Sequence, residues 1–313
     1  MHPRTLDPRC SLTRMNIIPR LTTQSTLVAL TLAASASLTL SAHAAESSTC
    51  VPSGEWRLPD GAAVSAEAVL GAASAARVVL LGESHNEASH HRWQLQTLAA
   101  LYRGNPKLSV GVEMFPRSLQ PVLDDWTAGR LSESEFLQRT DWERTWGYDA
   151  EMYLPIFRFA RDHGLPLRAL NVDRTSVRAV ATSGWQALDD ALAVELGTPA
   201  PPLPEYLSEL RETFDAHAAH LPEGHQPAHG DFERFTEAQL LWDRAMASGI
   251  ASSVAERQVV ALMGSGHLRF GHGVPHQLRN LGVQRIYSLI PWDAEEDCTD
   301  LREGFADAVA API

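Results

Sequence analysis

The chain has almost no lysine: Lys107 stands alone among 313 residues, and 38 acidic side chains outnumber 26 basic ones for a net charge of −12. A phosphate-binding loop therefore has no lysine to close it, and no Gly-x-Gly-x-x-Gly follows the first strand-like run. Nucleotide binding loses its usual signatures. The excess of carboxylates also repels a phosphate backbone or an anionic bilayer, which removes nucleic acid from the expected partners. Long apolar runs are scarce, and the one from Leu27 to Leu40 falls short of the about 20 residues that span a bilayer. No transmembrane segment is expected after it. Ser84 is not framed by the Gly-x-Ser-x-Gly elbow, so a serine hydrolase of the common kind is not expected either.

What is present begins with an export signal, because the Leu27–Leu40 run follows Arg14 and Arg20 and precedes Ala42-His43-Ala44, whose small residues suit a signal peptidase. Residues 1–44 are read as the leader, with Met15 as an alternative start, and the expected location is the periplasm or the cell exterior. Cysteine is rare, with three in the chain. Cys10 precedes the leader's core, which leaves Cys50 and Cys298 near the two ends of the remainder. An oxidising compartment permits them to pair; two unrelated thiols in loose termini is the other reading.

With 44% hydrophobic and 20% charged residues the chain can bury a real core. Apolar runs of strand length occur at Arg77–Leu81, Leu108–Val112, Leu165–Leu170, Val259–Met263 and Gln284–Leu289, with helical patterns between them. Strands alternating with helices imply an α/β fold: a mainly parallel sheet flanked by helices. His91, Leu95, Leu98 and Tyr102 mark one face of the helix after the first strand. From Gly184 to about Arg257 no strand-like run occurs, so 184–257 is read as a smaller helical domain inserted into the sheet domain, whose two parts are 69–183 and 258–292. Residues 45–68 form an N-terminal segment and 293–313 a tail.

Four of these runs end at once in polar residues: Gly82-Glu83-Ser84-His85, Glu113, Asn171 with Asp173, and Gly264-Ser265-Gly266-His267. In open parallel sheets the carboxyl ends of the strands form the ligand crevice, so two histidines and two glutamates are aimed at one place. Glu83, His85, Glu113 and His267 match the ligand set of a divalent metal such as Zn or Mn with room for an activated water. Equally, a histidine beside a glutamate can act as general base without metal. The plain alternative is that His85 caps its helix and His267 satisfies backbone groups at a turn. Of the adjacent pair His90 and His91, the stripe assigns His91 to the core and leaves His90 for the edge of the crevice. His272 and His276 can line the same wall. His217, His220, His225 and His229 cluster in the helical insertion, where a solvated loop is the plainer reading.

Taken together, Leu80 to His85, His90-His91, Glu113-Met114-Phe115, Trp142 to Gly147, Ala169-Leu170-Asn171, Gln239 to Ala247 and Gly264 to His267 through Gly273-Val274-Pro275 resemble the ChaN-like haem-binding uptake proteins. These belong to a superfamily with the Tiki and TraB proteins, and the resemblance spans roughly residues 70 to 290. It implies a periplasmic or membrane-associated α/β protein of iron acquisition, with haem as ligand. For the related Tiki proteins it implies metal-dependent peptidase chemistry on His85, His267 and Glu113. Family members are often lipoproteins, but Cys50 lacks a lipidation sequence before it. Haem needs an apolar slot, an axial ligand and cations for its propionates. His85, His90, His267 and His272 are the candidate ligands; Arg269 or Arg92 can meet the propionates, with Trp93, Trp146, Trp242 and Phe270 as walls. Asp243 and Gln239, four apart on one helix face, can reach toward the crevice. Haem binding, a metal-dependent hydrolase and a non-catalytic helper with a vestigial crevice are the readings that remain; a homodimer stays open.

Overall fold

The computed structural model describes residues 50–219 and 230–313. The leader, His220, His225, His229 and the side chain of His217 lie outside the described residues. Eight strands form one sheet: β1 (Trp56–Arg57), β2 (Ala63–Val64), β3 (Val78–Leu81), β4 (Leu108–Pro116), β5 (Leu167–Asn171), β6 (Gln258–Leu262), β7 (Ile286–Pro291) and β8 (Ala308–Ala310). Their order is β2-β1-β8-β7-β3-β6-β4-β5, parallel from β8 through β5, with the β1–β2 hairpin running antiparallel at one edge. The fold is α/β with a mainly parallel sheet, as the alternation of apolar runs and helical patterns required.

The helices are α1 (Ala66–Ala75), α2 (Ala88–Gly104), α3 (Gln120–Thr127), α4 (Glu133–Thr140), α5 (Trp142–Thr145) and α6 (Ala150–Asp162), followed by α7 (Arg174–Ser183), α8 (Asp190–Leu196), α9 (Pro204–Ala218), α10 (Asp231–Ser253) and α11 (Val274–Asn280). None is long and apolar enough to cross a membrane among the described residues. Strand side chains alternate between faces. Val79, Leu81, Val112 and Leu262 therefore pack with α1 to α6, while Val78, Leu80, Val259 and Met263 pack with α10 and α11. β3 is buried at all four positions, as befits a strand covered on both faces.

Three features add to the sequence reading. The 45–68 segment and the 293–313 tail supply β1, β2 and β8, which extend the sheet, and a Cys50–Cys298 disulfide ties the two segments together. Strands of two or three residues are too short to show a period, which is why they left no trace in the pattern. β4 runs past Val112 to Pro116, so Glu113 lies within a strand, where the pairing with β5 shifts register. Finally, residues 184–257 supply α8 to α10, but α10 lies on the sheet through Met246, Ala247 and Ile250, inside the same compact unit as the strands.

Candidate functional site

At the carboxyl rim, β3 and β6 leave the sheet side by side, and their loops are knitted together by Ser265 N–H donating to Glu83 O at 2.9 Å. Gly264 makes the closeness possible: a Cβ there would sit 2.9 Å from His85 Cε1. The same residue's N–H donates to Glu113 Oε2 at 2.8 Å. His85, Glu113 and His267, far apart in the chain, thus converge on one rim.

Glu83 does not face the cleft. Its Oε1 accepts from His85 Nδ1 at 2.8 Å, Tyr153 Oη lies 3.0 Å from that oxygen, and His91 Nδ1 is 3.4 Å from Oε2. Burial alone would raise this carboxyl, but the hydrogen bonds and charges of His85 and His91 win and lower it to about 2. Burial also works against charge on His85, and the Glu83 hydrogen bond with the Glu113 and Glu83 charges still raises it above its ordinary value. With Nδ1 held from behind, no hydrogen bond engages His85 Nε2 among the described residues, and the side chain is 28% exposed.

His267 is held more tightly. Its Nδ1 is 2.6 Å from Asp243 Oδ1 and its Nε2 3.5 Å from Glu113 Oε1, while Tyr206 Oη donates to Asp243 Oδ2 at 2.7 Å. Burial opposes the charge, yet Asp243 and Glu113 raise the imidazole to about 10. Glu113 is lowered against its own burial by His267, His85 and the Gly264 N–H. The centre is two carboxylate-held histidines with Glu113 between them. His85 keeps an open nitrogen, whereas both nitrogens of His267 face carboxylates that favour its charged form.

In front lies a cleft of about 860 Å³, into which His85, Glu113 and His267 face. Trp146, Tyr148 and Trp242 line it, with Trp146 and Tyr148 packed on the His85 ring at 4.7 and 5.3 Å between centroids. Arg144, Arg174 and Arg178 line its wall beside the carboxylates Asp141, Glu143 and Asp173; Arg144 lies 3.6 Å from Asp141, and Arg174 donates to the Thr145 carbonyl.

Several expected residues stand elsewhere. His90 is 1% exposed; its Nδ1 accepts the Ser84 N–H and its Nε2 meets Asp293, so it braces the loop and presents no nitrogen to the cleft. His91, assigned to the core by its stripe, is buried there but beneath Glu83. Arg269 pairs with Glu296 and Arg92 reaches the Ile313 carbonyl, so neither lines the cleft. His272 pairs with Glu209, His276 meets the Pro201 carbonyl, Trp93 packs on Trp56, and Phe270 on Phe305. Asp243 is fully buried behind His267.

The set Glu83, His85, Glu113 and His267 does not form a shared metal shell. Glu83 sits on the Nδ1 side of His85, opposite the open nitrogen, and both nitrogens of His267 face carboxylates. Among the described residues no group of three or more His, Cys, Asp or Glu side chains is arranged to hold an ion. No spacing in the sequence marks Tyr153, Tyr206, Tyr148, Arg174 or Arg178 as members of the site, whereas Arg144 lies within the Trp142–Gly147 stretch that carries the family resemblance.

A solved structure described as cofacial heme binding to ChaN of Campylobacter jejuni shares this fold with a TM-score of 0.66 and 18% identity, over 82% of this chain and 96% of that one. Weaker likenesses are the type III effector HopBA1, at 14% identity, TM-score 0.45 and 78% and 90% coverage, and an erythromycin esterase, EreC, at 12%, 0.43 and 75% and 76%. No curated protein matches the chain by sequence. The model of the haem-binding uptake family, ChaN, of the Tiki superfamily matches residues 69–278, about two thirds of the chain, and the protein belongs to that family.

Proposed function

We propose that this protein binds haem in the rim cleft, with His85 Nε2 as the axial ligand, and serves haem or iron uptake outside the cytoplasm. The observation that carries the reading is the open Nε2 of His85 on a cleft that also gathers an aromatic wall and three arginines. A histidine whose Nδ1 is held by a carboxylate is oriented and made more basic for binding a metal through Nε2. The volume falls in the range of small-ligand and cofactor sites, about 300–1,000 Å³. Trp146, Tyr148 and Trp242 suit a flat apolar face, and Arg174 and Arg178, which have no ion pair among the described residues, suit the propionates. Membership of a haem-binding family supports the ligand. The leader-like N-terminus and the Cys50–Cys298 bond support export, since disulfides persist in oxidising compartments.

Titration of the protein with haemin, followed by absorption, tests the proposal. Iron competes with a proton for His85 Nε2, and that imidazole is raised above its ordinary value, so coordination strengthens as pH rises. A saturable Soret shift is expected at about pH 8 and a weaker one at about pH 5. Absence of saturable binding at both pH values would contradict the assignment.

A further inference from the structure

A second cavity, of about 510 Å³, lies on the α10 side of the edge strand β5 and shares no lining residue with the cleft. Arg168 enters it from the second position of β5, on the same face as Leu170, which packs under α10. Its guanidinium has no carboxylate or carbonyl partner among the described residues, and its Nε is buried and unpaired. Arg257, just before β6, also lines the cavity, half-buried and with no ion pair among the described residues. Ser109, 1% exposed on β4, contributes a hydroxyl with no hydrogen bond. Buried donors left unpaired are costly, so the Arg168 Nε and the Ser109 hydroxyl call for an acceptor that the described residues do not supply.

Of the two carboxylates in the lining, one is neutralised and the other faces solvent. Glu195 is bound by Arg117, and the exposed Glu256 is the remaining carboxylate of the lining. The carboxyl end of α10 would repel an anion. There, however, Arg77 takes the Val254 carbonyl, and the Ser252 and Ser253 hydroxyls donate to Gly249 O at 2.8 and 3.3 Å.

We infer that this cavity binds a small organic anion through one carboxylate or phosphate group, gripped by Arg168 and Arg257 with the Ser109 hydroxyl as a further donor. Guanidinium forks match either oxyanion in two-pronged fashion. The cavity volume is in the small-molecule range, which leaves room for the organic body that carries the charged group.

Calorimetric titration at low ionic strength with inorganic phosphate and, separately, with citrate tests the site on the intact protein. Saturable binding of either probe is expected, weakened about tenfold or more in both Arg168→Ala and Arg257→Ala, because each loses a charge-assisted hydrogen bond. Phosphate alone binding assigns the site to phosphate esters and citrate alone to carboxylates. Circular dichroism of both variants should match the parent, which keeps a folding defect from imitating the result. Failure of both probes to bind, or binding that both variants retain unchanged, would overturn the inference.

Discussion

Replacing His85 by alanine is expected to abolish the protein's Soret shift and to weaken haemin binding by more than the about 10–100-fold that loss of an outer-shell partner costs a metal site. The reasoning rests on which nitrogens are free. His267 has both facing carboxylates and His90 both occupied, whereas His85 offers Nε2 to the cleft. The fold should survive the change, because Glu83 keeps the Tyr153 hydrogen bond and the His91 contact. Glu83→Gln, which loosens the hold on Nδ1 while leaving His85 in place, should give an intermediate loss. Tyr148 is the other exposed ring on the cleft, so Tyr148→Phe separates the two ligands. A Soret band kept in His85→Ala and lost in Tyr148→Phe would move the ligand to the phenol.

Asp243→Asn should be the most destabilising conservative change at the site, costing about 3–5 kcal/mol, the range for breaking a buried pair and leaving one charge uncompensated. Asp243 is fully buried and holds both His267 Nδ1 and the Tyr206 hydroxyl. Its charge also shapes the pH profile. Because His267 is raised from 6.5 to about 10 in the folded state, its stabilisation is fully present below pH 6.5 and fades as pH climbs through about 10. Glu83, lowered from 4.5 to about 2, acts in the opposite sense: its contribution is present above pH 4.5 and fades as pH falls through about 2. Denaturant unfolding across pH should therefore show greatest stability between these limits. In Asp243→Asn the alkaline fall should shrink while the acid one stays. Equal stability of the two proteins, with the alkaline fall unchanged, would show that the Asp243–His267 pair does not carry the charge assigned to it.

The rim of the sheet is legible because the apolar runs that become β3, β4 and β6 each give way to polar residues at their carboxyl ends, and a parallel sheet sends all such ends the same way. That logic brings His85, Glu113 and His267 together from the sequence alone. The layer behind them was not readable. Tyr153 and Tyr206 come from α6 and α9, and no spacing in the sequence links either helix to the carboxylate it supports. His90 and His91 show the limit of a stripe. The helical period buried His91, but it could not tell that His90 would also be buried, against Ser84 and Asp293. The cleft arginines follow the same logic: Arg144, Arg174 and Arg178 reach the cleft because α5 and α7 happen to frame it, whereas Arg92 and Arg269, closer in sequence to the histidines, turn to Ile313 and Glu296.

Crystals of the haem-loaded protein, measured at the iron absorption edge, put the central claim to its most direct test. An anomalous peak beside His85 Nε2, with the porphyrin between the Trp146–Tyr148 wall and the arginines, is the predicted outcome. Iron at any other side chain, or porphyrin bound outside the rim where the β3 and β6 loops meet, would contradict it.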